Sequence, residues 1–79
     1  MVTRTASSDE RAPRAVLTRR QLQILVLIAN GVNAKEIAGM LRISSKTVGC
    51  HRSNIMRRLD IYDVAGLVRY SIRNGLVNV

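Results

Sequence analysis

Four times between Leu17 and Leu67 the chain repeats one local pattern: an apolar residue, a short polar residue, then a run with apolar positions on one side. The first N–H groups of a helix have no partner within the helix, and a Thr, Asn, Ser or Asp just ahead of it can accept from one of them. A Glu or Gln three residues on can return the bond, and apolar residues flanking the cap can close as a staple. Thr18 with Gln21, and Leu17 with Leu22, fit that description. So do Asn33 with Glu36, and Val32 with Ile37. Ser44 is flanked by Ile43 and Val48, and Asp63 by Tyr62 and Leu67. Agreement of cap, staple and periodicity at four successive sites constrains the chain to short helices.

The spacing predicts helices over about 19–30, 34–41, 45–59 and 64–74. Their apolar stripes are Leu22, Leu25, Ile28 and Ala29; Ile37, Ala38 and Leu41; Val48, Ile55, Met56 and Leu59; and Val64, Leu67, Val68 and Ile72. Met40 and Met56 read as core filler. Gly31 and Gly75 stand where the first and last helices should end, with Gly31 in the left-handed region. No useful length alternates with a strand period. The expected fold class is all-α, a four-helix bundle, over residues 17–79. Residues 1–16 scatter Thr, Ser and Pro among charges with no apolar period, and read as a flexible basic tail or linker.

Helices two and three are separated only by Arg42, Ile43 and Ser44. A connection of three residues with one apolar residue turned inward is the helix-turn-helix arrangement. Ala38 is small where the two helices would cross. Taking Val48 as the core direction, at ~100° per residue Ile55 and Leu59 share its side while Lys46, Cys50, Ser53 and Arg57 lie opposite, with Gly49 at the edge. Small side chains in the middle of that stripe let a helix sit deep in a major groove. Cations at its ends can reach phosphates or guanine edges. Thr47 and the free N–H groups of the first turn could meet a phosphate.

Charge supports the same partner. The 79 residues carry 13 Lys and Arg against 5 Asp and Glu, a formal net charge of +8. The basic tail explains only part of it, and no acid lies between Glu36 and Asp60, where Arg42, Lys46, Arg52, Arg57 and Arg58 fall. An ordinary solvated helix face would mix in Glu or Asp. A basic excess of this kind suggests a polyanion. No apolar run reaches the roughly 20 residues of a membrane span, and the first residues lack a signal peptide's apolar core. Cys50 is the single cysteine, so no internal disulfide can form, which fits a reducing, cytoplasmic setting.

Residues 17–77 resemble the LuxR/NarL/FixJ/GerE-type helix-turn-helix domain of bacterial transcription regulators. The stretches that carry the resemblance are Leu17-Thr18-x-Arg20, VLIANGVNAKEIAGMLRISSKTV, His51 to Ile55, Leu59 and LVRYSIRNGLV. The resemblance implies major-groove binding by the third helix and frequent dimerisation through the fourth. By position it implies base reading at Lys46, Gly49, Cys50 and Ser53. It implies phosphate contacts at Thr47, Arg57 and Lys35. On the fourth helix Ala65, Arg69 and Arg73 are the candidate dimer residues. RNA polymerase is the further partner a transcription role would bring. The chain departs from the pattern at Gln21, in place of a Glu though still able to cap, at Gly49, where a larger residue is common, at Gly66, in place of an acid, and at Asp60, in place of a glycine.

Other readings carry less. Cys50 and His51 point ~100° apart on a helix, and no further Cys or His completes a metal site. A redox role for Cys50 has only its exposure in favour, and His51 reads as a packing or phosphate-facing residue. Tyr62 and Tyr70 are too few aromatics for a base-stacking RNA platform. The chain shows no paired carboxylates, no nucleophile–base arrangement and no phosphate-cradling loop, so no catalytic residue, cofactor or metal is assigned. A protein-interaction module using the fourth helix is the alternative to a sequence-specific double-stranded DNA-binding regulator.

Overall fold

The computed structural model describes residues 16–78. The expected tail, residues 1–16, lies outside them except for Val16. Four helices follow in order: α1, Arg19–Ala29; α2, Ala34–Leu41; α3, Ser45–Leu59; and α4, Val64–Arg73. No strand occurs among the described residues. The fold is the expected all-α one.

Each helix starts at the residue its cap dictates. Thr18 Oγ1 accepts from the Gln21 N–H at 3.0 Å, and the Gln21 side chain accepts from the Thr18 N–H at 2.9 Å. Asn33 and Glu36 exchange the same two bonds at 2.9 and 3.1 Å. Ser44 caps α3 through the Thr47 N–H, and Asp63 caps α4 through the Gly66 N–H. The ends of α1 and α4 fall one residue earlier than the spacing predicts. Asn30 and Asn74 are caps, their side-chain amides donating to the carbonyls of Val26 and Tyr70, and Gly31 and Gly75 then turn the chain at positive φ. Arg42 and Asp60 close α2 and α3 in the left-handed region, with φ of 59° and 57°. Glycine would hold those positions more cheaply.

The core unites Leu17, Ile24, Leu25, Ile28, Ile37, Ala38, Val48, Ile55, Leu59, Leu67 and Tyr70. α1 lies at its centre, packed on both α3 and α4, while α2 packs mainly on α3. This central position rotates the buried face of α1 relative to the sequence stripe. Ile24 is fully buried, whereas Leu22 and Ala29 are half-buried.

α4 departs further from expectation. Its buried residues are Gly66, Leu67, Tyr70 and Ser71, while Val64 and Ile72 are exposed. Leu67 is buried as expected, and the small Gly66 and Ser71 are buried beside it. Ser71 is buried without cost to its hydroxyl, which donates to the Leu67 carbonyl at 2.8 Å. A Cβ on Gly66 would stand 2.5 Å from Cγ2 of Ile61. Ile61, rather than the exposed Tyr62, is the apolar residue packed against the core ahead of α4. Tyr62, expected to staple onto Leu67, is 65% exposed. Met40, at 61% exposure, is not core filler, whereas Met56 packs against the core.

One long-range side-chain link ties the chain's entry to the third helix. Arg58 donates to the Val16 carbonyl oxygen from Nε at 3.1 Å and from Nη2 at 2.9 Å.

Gly66→Ala tests the α4 packing. Helix propensity gains at most ~1 kcal/mol, against about 1–3 kcal/mol for overpacking. A net loss of about 1 kcal/mol is expected in denaturant unfolding. A more stable variant would show that Ile61 yields freely.

Candidate nucleic-acid interface

The orientation of α3 follows from three side chains. Val48, Ile55 and Leu59 are buried, at 1%, 0% and 8% exposure. Lys46, Cys50, Ser53 and Arg57 are exposed on the opposite side, and Gly49 is half-buried. Together with Arg52 and Asn54, these five line an open hollow on the α3 surface. No acidic residue lines it.

At the start of α3 the expected Ser44 cap engages Thr47. Thr47 is half-buried, its N–H is held by the Ser44 hydroxyl at 3.0 Å, and its own hydroxyl lies 2.8 Å from Ser44 Oγ. The Val48 N–H bonds to the Ser44 carbonyl. The cap thus occupies Thr47, and the first-turn N–H groups of Ser45 and Lys46 are those left facing outward. A positive helix end with two open donors, beside the Lys46 ammonium, suits an anion.

Lys35 is exposed on the first turn of α2 but does not line the hollow. Ala65, Arg69 and Arg73 are exposed on α4, also apart from it. Beside them lie the exposed Val64 and Ile72 and the half-buried Val68, so the outer side of α4 is more apolar than the sequence stripe suggested.

Arg52 was named from sequence only within the acid-free run of cations, where phosphate contacts are expected, and Asn54 was not singled out. Arg52 falls near the core direction by angle, yet it is exposed, its long stem carrying the guanidinium out to the rim. Asn54 Oδ1 accepts from Arg57 Nη1 at 3.1 Å. Asparagine is a poor helix former, and this one sits inside a helix with no cap to make. That mismatch was a local signal.

Gly49 is not required by the fold. A Cβ there would meet nothing within 4 Å. Gly49→Ala is therefore expected to raise the unfolding free energy by about 0.5–1 kcal/mol. A lower denaturant midpoint would contradict an open helical site.

Among the described residues no three His, Cys, Asp or Glu converge as a metal site, and no helix is long and apolar enough to cross a membrane.

Residues 15–71 match the family described as bacterial regulatory proteins, luxR family. The chain is 44% identical over 63 residues to the response regulatory protein YgeK of Escherichia coli, a match covering 80% of this chain and 43% of that protein. It is 44% identical over 72 residues to the transcriptional regulatory protein LiaR of Bacillus subtilis, covering 91% of this chain and 34% of LiaR. It is 45% identical over 62 residues to the transcriptional regulatory protein MctR of Rhizobium johnstonii, covering 78% of this chain and 29% of MctR. The chain therefore spans less than half the length of these relatives.

Proposed function

The chain belongs to the luxR family of bacterial regulatory proteins, a family of DNA-binding transcription regulators, and on that premise we propose that it recognises specific double-stranded DNA by seating α3 in the major groove. The observation that carries this reading is the exposed, acid-free side of α3, opposite the buried Val48, Ile55 and Leu59.

The residues divide by reach. Gly49, Cys50 and Ser53 are short, so the helix can approach base edges closely along its middle. Lys46 and Arg57 flank them and can reach guanine edges or phosphates. Phosphate contact at the start of α3 is assigned to the N–H groups of Ser45 and Lys46, with Thr47 supporting them through the cap. Lys35 on α2 would hold a phosphate beside the groove. These contacts position the domain, and base contacts give it sequence preference.

The exposed side of α4 supports a homodimer on DNA. Val64, Val68 and Ile72 would supply apolar contact, and Ala65, Arg69 and Arg73 would border it. Two copies related by a two-fold axis would then read two half-sites. Such a regulator works on chromosomal DNA in the cytoplasm, and contact with RNA polymerase would be its route to activation. Nothing in the hollow calls for catalysis or a cofactor.

Salt dependence tests the reading. The logarithm of the binding constant should fall with that of salt concentration, by about 0.9 per phosphate neutralised. Arg57→Ala should reduce the slope by ~1. Arg58→Ala should reduce it less, since Arg58 does not line the hollow and its guanidinium bonds to the Val16 carbonyl. Salt-independent affinity, or equal effects of the two variants, would contradict the proposal.

A further inference from the structure

The middle of the α3 hollow offers little with which to distinguish bases. Gly49 has no side chain, Cys50 is a weak hydrogen-bonding group, and Ser53 is short and undiscriminating, able to donate or accept. Lys46 and Arg57 are cations, which favour phosphate or guanine. Asn54 is different: it is exposed, lines the same hollow, and carries a donor and an acceptor on one planar amide.

The surroundings fix how that amide is presented. Arg57 Nη1 donates to Asn54 Oδ1 at 3.1 Å, so the carbonyl side is held toward the guanidinium and the NH2 group is turned away from it. The oxygen keeps a second lone pair. An amide held in this way can donate to adenine N7 while accepting from adenine N6–H. The fold gives Asn54 no other task. Its side chain caps no helix, and alanine would favour the helix more at an exposed interior position.

We propose that Asn54 is a base-reading residue of this chain, that it recognises adenine in the major groove, and that Arg57 holds its amide in the reading orientation. The inference rests on the proposed seating of α3 in that groove. It adds to the positions implied by family resemblance one residue that those positions do not include.

The experiment is selection of bound duplexes from a random pool with the full 79-residue chain and its Asn54→Ala variant, each with a salt titration. The parent should enrich a motif containing a fixed A·T pair. Asn54→Ala should lose discrimination at that pair by on the order of tenfold or more. It should keep the rest of the motif, and it should keep the parent's salt slope, because a neutral side chain neutralises no phosphate. Its thermal midpoint should be no lower than the parent's, which separates lost reading from lost folding. Uniform weakening at every base pair would assign Asn54 a merely structural role and overturn the proposal. So would an unchanged motif, or a change confined to a G·C pair. A parent that enriches no motif would instead defeat sequence-specific reading by α3, and this inference with it.

Discussion

The structure depends on how α3 is rotated about its own axis. Val48, Ile55 and Leu59 lock one side of that helix into the core, and each buried aliphatic side chain of this size contributes roughly 1.5–3 kcal/mol. A rotation by one residue would bring apolar groups to solvent and press cations toward Ile24 and Ile37. Burying an unpaired charge costs far more than losing one methyl contact. The greasy side therefore selects the outward side, and that leaves Lys46, Cys50, Ser53 and Arg57 together at the surface. The three-residue turn from α2 limits how far the helix can slide along its axis, and Ala38 of α2 is buried in the same core.

So small a domain has little core to draw on, and its helix ends bear part of the load. Polar caps satisfy donors at all four starts, each contributing typically about 1 kcal/mol. Against these stand Arg42 and Asp60, held in the left-handed region where non-glycine residues are disfavoured. Asp60 also places a negative charge at the negative end of α3, although Arg57 and Arg58 in the last turn offset it. Gly49 weakens the same helix in its exposed middle. The costs in α3 thus gather on its solvent side and at its end, while its buried side is conventional.

Legibility in sequence followed the range of the interaction. Caps are contacts over three residues, so the starts of all four helices could be read directly. The outward stripe of α3 could be read because one helix face alternates cleanly between large apolar and polar residues. α4 could be read this way only in part: counting hydrophobic residues found the buried Leu67 but also favoured Val64, Val68 and Ile72, whereas α4 packs through Leu67 and Tyr70 with the small Gly66 and Ser71 beside them. The burial of Ile24 depends on α1 being flanked on two sides, a tertiary fact. The Arg58 link to Val16 spans 42 residues and leaves no local trace. In the candidate site, the angle of Arg52 points toward the core and only its length carries it to the hollow, and the contact between the Ser44 and Thr47 hydroxyls emerged only from the hydrogen bonds. Asn54 had a signal, its poor fit to a helix interior.

The most direct measurement is a backbone amide chemical-shift map of the isotope-labelled chain during titration with a short duplex. The account predicts the largest changes at Ser45, Lys46, Gly49, Cys50, Ser53 and Asn54, with buried Val48 and Ile55 responding less. Changes centred on Val64, Val68 and Ile72, with α3 silent, would mean that the duplex meets a different face and that the rotation of α3 does not define the binding surface.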